Sequence, residues 1–505
     1  MANIEAGGGE HHPGPVTHGI DVAGQIETHG IDYIPQADRH SHPRNLAWAM
    51  FGPQFGFGNM VFGSLPIAFG LSWWSSVAAI VLGVSLGSAI FAGVCIQAHR
   101  TGTNNAVSSG AFFGLRGRYL GSAISLFIGL GFFAILIWTS GLTIIAVLDR
   151  AFSSGTGNTA LTIAMIVVGV ISCVLAVYGH ATLVATFRFI AIFSFAASIL
   201  GVAFIAKDFH AVHGGNYLLG TFWPTWFFSF VLAASLPISW GPFIGDYGRY
   251  IPERESELTT AAAGFIGIFA GCLISELIGA FATAAFKDPA TPFALGFPQA
   301  VPLWVAVFLM LGPGGLANIE SAAMSVYNCA LDVHALLWRL TRLQLTVGMS
   351  VIGVVVAWLT LVHYNQINSI EAFVTIMLVT CTPWMVIMTI GHLMRRGQYY
   401  TLDLQAFAIP GKRGVYWFWN GVNWRAFVAW GAATAFGLLF SVQSLFTGPL
   451  STHIKGVDIS FLVSAAVGGV LYFVLVKAFP ERGVVPGEQG PEEPLGMAEA
   501  APAVT

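Results

Sequence analysis

The stretch "ASLPISWGPFIGDYGRYIP", Ala234 to Pro252, decides the fold. It lies where an apolar run should cross a membrane, yet it holds Pro237, Gly241, Pro242 and Gly245 and closes on Asp246 and Arg249. Proline removes a backbone donor and clashes with the preceding turn. In lipid, backbone groups freed in this way are tolerated only where protein, water or a ligand satisfies them. The same punctuation appears in "LAWAMFGPQFGFGNMVFGSLPIAFG", residues 46–70, with Gly52, Pro53, Gly56 and Gly58 in its middle. Two interrupted spans in corresponding halves are the pattern of an inverted repeat whose broken helices meet at a midplane site.

The rest of the chain supports a membrane setting. Of its 505 residues 55% are hydrophobic and 9% charged, with mean hydropathy +0.73. Soluble domains carry about a quarter charged residues, so this is an integral membrane protein. From Asn45 to Gln97 there is no charged residue or histidine, which at about 20 residues per crossing makes two spans. Continuing along the chain predicts twelve transmembrane helices, at 45–70, 74–98, 119–147, 160–180, 186–206, 224–247, 258–284, 301–331, 344–363, 371–394, 424–446 and 459–479. The alternating short strands of a membrane barrel are missing, so the fold is all-α.

Lysine and arginine favour cytoplasmic loops. With the N-terminus inside, 17 of the 21 fall on inner segments, and only Arg150, Lys207, Lys287 and Lys455 face outward. That split predicts a multi-pass protein of the plasma (inner) membrane with both termini cytoplasmic. Residues 1–43 and 481–505 read as disordered cytoplasmic tails flanking a transporter domain at 44–480. The N-terminal tail carries His11, His12, His18, His29, His40 and His42; their irregular spacing leaves metal sequestration as the lesser reading. No apolar leader precedes residue 45. The five cysteines all fall in spans and read as buried hydrophobes, with no disulfide or metal site.

Within the spans, Glu276 and Glu320 are the deep carboxyls. Such groups face a cavity, titrate or pair. Glu320 is the stronger candidate for coupling, because Asn318, Ser321, Ser325 and Asn328 give it a polar neighbourhood. Trp240, beside Ser239 in the sixth-span break, offers a planar face to a planar ligand. Gln54 and Asn59 in the first break each offer a donor and an acceptor. Asp246 and Arg249, at the inner end of the sixth span, suit either an inner gate or an ordinary helix end. No Walker A loop, HExxH or GxSxG motif is present, so the chain does not read as an enzyme. Nothing in it points to nucleic acid or to an obligate protein partner.

"SWGPFIGDYGRYIP" (239–252) resembles the signature of the nucleobase–cation symporter-1 family, in its purine–cytosine permease branch. "RTGTNNAVSSGAFFGLRGRYLGS" (100–122), "GHLMRRGQYY" (391–400) and "GVNWRAFVAW" (421–430) resemble three more of its segments, in order. The resemblance implies a LeuT-like 5+5 inverted repeat, spans 1–5 and 6–10 with helices 1 and 6 broken, plus two extra helices. It also implies symport of a nucleobase such as cytosine or a purine with a proton or sodium ion, by alternating access and without a cofactor. Carried over, the substrate would lie between Trp240, with Ser239, and the third-span position that falls at Phe132. Trp138, six residues on, could replace Phe132 only with a register shift. First-span contacts would come from Gln54, Phe55 and Gly56, with Asn59 and Ser325 completing the site. The family's cation site would fall at Gly52, Phe55, Glu320 and Ser321. A glutamate in place of a hydroxyl there implies that a proton on Glu320 takes the part of sodium. Other rings (allantoin or a hydantoin), an amino acid, or a non-transporting sensor are the alternatives to test.

Overall fold

A computed structural model describes residues 33–178, 180–334, 340–409, 411–443 and 446–495. The histidines at 11, 12, 18 and 29 lie outside them. Among the described residues the chain is helical apart from two isolated bridges. In order the helices are α1 (Pro43–Phe51), α2 (Phe57–Ala68), α3 (Trp73–Thr101), α4 (Asn105–Ser108), α5 (Gly110–Phe113), α6 (Tyr119–Phe152), α7 (Asn158–Tyr178), α8 (His180–Ile205) and α9 (Phe222–Ser239). They continue with α10 (Ile244–Gly248), α11 (Glu257–Ala284), α12 (Phe293–Ala300), α13 (Leu303–Leu311), α14 (Ala317–His334), α15 (Arg342–Ala357), α16 (Gln366–Met394), α17 (Trp424–Leu439) and α18 (Ser460–Ala478).

Ten helices, among the described residues, are long and apolar enough to cross a membrane. The first predicted span does not count among them because it is split into α1, a 3-10 turn at Gly52–Phe55, and α2. The sixth is interrupted by the 3-10 turn Gly241–Phe243, between α9 and α10. Both interruptions fall where the Gly-Pro pairs put them. A third falls at Gly312–Leu316, where "GPGGL" forms a single π-helical turn between α13 and α14. The predicted eleventh span, 424–446, is shorter than expected: α17 ends at Leu439, and Val442 and Thr447 pair in a bridge. Helix ends follow ordinary capping. Ser72 accepts the Ser75 N–H at the start of α3, and Gly102, at φ +66°, ends it.

α3 packs along α9 and α11, α6 along α14, and α16–α18 form a flank. The α2–α11 crossing is the tightest. A Cβ on Gly63 would collide with the Glu276 carbonyl, and one on Gly279 with the Met60 carbonyl. Small residues let helix backbones approach this closely, which is the main attraction available in lipid.

Both expected tails are partly folded. Arg39 is buried and donates to the Ile34 and His99 carbonyls at 2.8 and 2.7 Å, tying residues 33–43 to the end of α3. At the other terminus, Glu481 accepts from Arg395 at 2.7 Å and from Asn423 at 2.5 Å, and the Leu495 N–H meets Asp403 at 3.1 Å. Val484 and Leu495 are buried. The boundary expected at 480 is therefore displaced to Leu495 at least. The physical reason is Arg395, whose buried charge needs a partner. Burial opposes that charge, yet Glu481, Tyr472 and Tyr416 outweigh it and hold the guanidinium above its ordinary value.

Candidate functional site

The second break and α2, just past the first break, face a cavity of about 420 Å³ when the open space at its mouth is included. Asn59 of α2, Phe132 and Leu136 of α6, Ser239, Trp240 and Phe243 around the second break, and Ser321, Met324, Ser325 and Asn328 of α14 form its walls. Six predicted substrate or cation residues are thus brought together: Asn59, Phe132, Ser239, Trp240, Ser321 and Ser325.

The other predicted residues stand behind this wall or away from it. Gln54 is fully buried; its amide donates to the Met50 carbonyl at 3.0 Å, and its oxygen accepts from Asn59 at 3.0 Å. It orients Asn59 without reaching the cavity. Phe55 turns its ring to Phe51 and Phe195, with centroids at 4.9 and 5.1 Å. Gly52 faces Phe187 and Ala191 of α8, and Gly56 lies so close to Asn318 that a Cβ would strike its amide oxygen. Asp246 and Arg249 are both buried, at the end of α10. Trp138 is buried in the core and does not line the cavity.

The predicted pair Glu320 and Ser321 divides between two neighbours. Ser321 donates to the Pro53 carbonyl of the first break at 3.5 Å, while Glu320 accepts the Thr186 hydroxyl of α8 at 2.7 Å. Adjacent helical residues point about 100° apart, so one stripe cannot hold both. The cavity stripe is Ser321, Ser325 and Asn328, spaced i, i+4, i+7. Glu320 lies on the next face, buried to 4% exposure.

Two residues not expected at the site hold its framework. Asn318 is the hub: its oxygen accepts the Gly58 N–H at 3.1 Å, and its amide donates to the Thr139 hydroxyl at 2.9 Å. It thereby caps α2, whose first amides the break has left free, and fastens it to α6. Asn105 of α4 does the equivalent for the second break, donating to the Gly241 carbonyl at 2.8 Å. Gly245 has no Cβ to obstruct it; one would collide with the Asn105 backbone. The polar residue three before Ser321 was a legible signal for Asn318; an asparagine 136 positions from its partner gives no such signal for Asn105.

Aromatic rings pack α2 outside the cavity lining. α12 lies over α2, with the Phe293 and Phe297 rings 5.1 and 5.8 Å from Phe57. In the other direction the lining continues from Trp240 to Phe243 and from Ser321 to Asn328. Past Phe243 the chain runs through α10 to Glu257, which pairs with Arg100 at 2.7 Å.

A family model described as "Permease for cytosine/purines, uracil, thiamine, allantoin" matches residues 33–468. A curated relative, "Putative purine-cytosine permease YxlA" of Bacillus subtilis (strain 168), is 25% identical over 465 residues, covering 90% of this chain and 96% of the relative. Among solved structures, Mhp1, a nucleobase-cation-symport-1 family transporter in a closed conformation with bromovinylhydantoin bound, superposes with TM-score 0.68 at 17% identity, covering 94% of this chain and 98% of its own. A substrate-bound, outward-open Na+-coupled sialic acid symporter gives 0.57 at 12% identity, with 88% and 91% covered. These likenesses carry the LeuT-like fold.

Proposed function

Because the chain belongs to the permease family for cytosine and purines, uracil, thiamine and allantoin, we propose that it carries a nucleobase, cytosine or a purine, by cation-coupled alternating access. The observation that supports this most is the meeting of Trp240 and Phe132 with Asn59, Ser239, Ser321, Ser325 and Asn328 in one cavity between the two breaks. An aromatic face binds any flat ring by stacking, and amide and hydroxyl groups at the rim read its edge. A hydantoin-like ring is the second reading, favoured by the ligand named for Mhp1.

In this reading the first break serves the cation. Pro53 and Ser321 offer oxygen to a sodium ion, the ligand type that hard cations prefer. Glu320, one residue away and buried, offers the alternative of a proton. The solute enters from one end, the half-helices α2 and α10 re-pack around it, and it leaves at the other. The transporter sits in the plasma membrane with both termini cytoplasmic, in keeping with its lysine and arginine distribution.

Uptake of labelled cytosine into proteoliposomes, under a proton or a sodium gradient separately, tests the reading. Proton-driven uptake lost in Glu320→Gln supports coupling through that carboxyl. Sodium-driven uptake that survives Glu320→Gln assigns coupling to the Pro53–Ser321 oxygens. No uptake of cytosine, purines, uracil, allantoin or hydantoins under either gradient would refute the proposal.

A further inference from the structure

Glu276, on α11, is fully buried, and neither carboxyl oxygen has a hydrogen-bond partner among the described residues. The proposed transport path does not use it. Its own backbone forms the α2–α11 crossing, where the Gly63 contact leaves no room between the helices. An ionised carboxylate cannot be sustained in such a place without a counter-charge or several donors.

Charged groups on the surrounding elements do not supply one. α2, α9 and α12 contain no Asp, Glu, Lys, Arg or His. On α3, Cys95, His99 and Arg100 lie toward the end where Arg100 meets Glu257, about 28 Å along α11 from Glu276 at 1.5 Å per residue. Arg44 of α1 lies three residues before Ala47, whose backbone packs at Gly267, and Arg188 of α8 is exposed beside the Gly52 level. Lys207 and Asp208 adjoin Phe209, which stacks on Phe281 of α11 at 4.4 Å, and Lys287 and Asp288 follow α11, but all four are exposed; Cys272, one turn before Glu276, is the nearer titratable group, and its thiol donates to Gln54 at 3.5 Å.

We propose that Glu276 is a proton-binding site, and that its proton holds α2 against α11. With the proton on, the seam stays dry and closed. With it off, the carboxylate requires water, and the seam must open to admit it. A ligand that binds one of two states more tightly shifts the balance between them, and here the ligand is a proton. The consequence reaches the cavity, because α2 carries Asn59, and Gln54 connects Asn59 to the Cys272 turn of α11. Protonation of Glu276 therefore sets the position of one cavity wall. The transport reading gives this switch its place in a cycle, but the switch itself is measurable without a substrate.

The test is hydrogen–deuterium exchange of the peptides covering Phe57–Ala68 in the full-length protein in proteoliposomes, wild type against Glu276→Gln. Glutamine mimics the protonated acid, so the ratio of the two rates at each pH cancels the intrinsic dependence of exchange. Between about pH 6 and about pH 9 the ratio should rise from near one, by up to about tenfold for each pH unit past the loss of the proton. A ratio near one throughout overturns the proposal. So does a rise that added sodium abolishes, which would make the site a metal-cation site. Should Glu276→Gln fail to fold, wild-type protein treated with a hydrophobic carbodiimide decides. An adduct on Glu276 that fades as pH rises supports the proton, and an adduct indifferent to pH overturns it. Failure to find any transported ring would leave these results untouched.

Discussion

Replacing Asn318 by alanine removes the hub that fastens the first break, and the structure sets the size of the effect. The Gly58 N–H would be left buried and unpaired, at about 1–3 kcal/mol. The interhelical bond to Thr139 is worth about 0.6 kcal/mol by the average for membrane helices. The contact from Asn318 to the Leu136 carbonyl, at 3.5 Å, is too long to add much. Together these predict a loss of about 1.5–3.5 kcal/mol, measurable by equilibrium unfolding in mixed dodecylmaltoside–SDS micelles. Thr139→Val should cost only about 0.6 kcal/mol, because that side chain's own donor bonds stay within its helix, at Ile135 and Leu136. In the Asn318→Ala background Thr139→Val should cost close to nothing, since their shared bond is already gone. Full additivity of the two changes would refute the Asn318–Thr139 bond, and a loss under about 0.5 kcal/mol for Asn318→Ala would refute Asn318 as the cap of α2.

Trp240→Ala should weaken solute binding about 5- to 150-fold, the equivalent of 1–3 kcal/mol of stacking, with Trp240→Phe recovering most of it; equal affinity for all three by equilibrium binding would remove Trp240 from the site. Asn105→Ala frees the Gly241 carbonyl next to Trp240, and should raise the KM for uptake more than it lowers kcat, whereas a loss of kcat alone would argue that α4 serves only motion. Glu481→Ala strands the buried Arg395 charge and should cost about 3–5 kcal/mol, read as loss of folded protein on size-exclusion chromatography. Burial pushes the Tyr416 hydroxyl up to about 12. Because its folded value exceeds the unfolded value of about 10, the folded state retains the proton longer, and stability should hold below about pH 10 and fall as pH rises toward the folded value. A denaturation midpoint in Tyr416→Phe that falls as steeply over that range would contradict it.

The sequence carried the breaks because Gly-Pro pairs act locally: they interrupt a helix whatever surrounds it. It also carried Trp240 and Ser239, which sit in such an interruption. It could not say which of Gln54 and Asn59 faces the cavity, since Gln54 sits in the 3-10 turn, Asn59 sits on α2, and extended Gly56 between them ends the helical spacing. On α14 the spacing was available: Ser321, Ser325 and Asn328 share a stripe, and Glu320 stands a hundred degrees from it. Grouping Glu320 with its chain neighbours put it in the polar stripe, and the fold turns it to Thr186 instead. Asn105 was beyond reach, because only the three-dimensional return of the chain brings it to Gly241. The folded ends were missed for a related reason. Composition reports glycine and proline, and it does not report that Arg395 awaits an acid 86 positions later.

That last pairing gives the order of synthesis a role in the protein's quality. The end of α16 is made and inserted well before Glu481 leaves the ribosome, so for that interval Arg395 is a cation without its acid. A chain stalled or clipped in between is left with a mismatched helix end, which is a mark that a membrane protease or chaperone can recognise. The arrival of Glu481 thus completes that helix end.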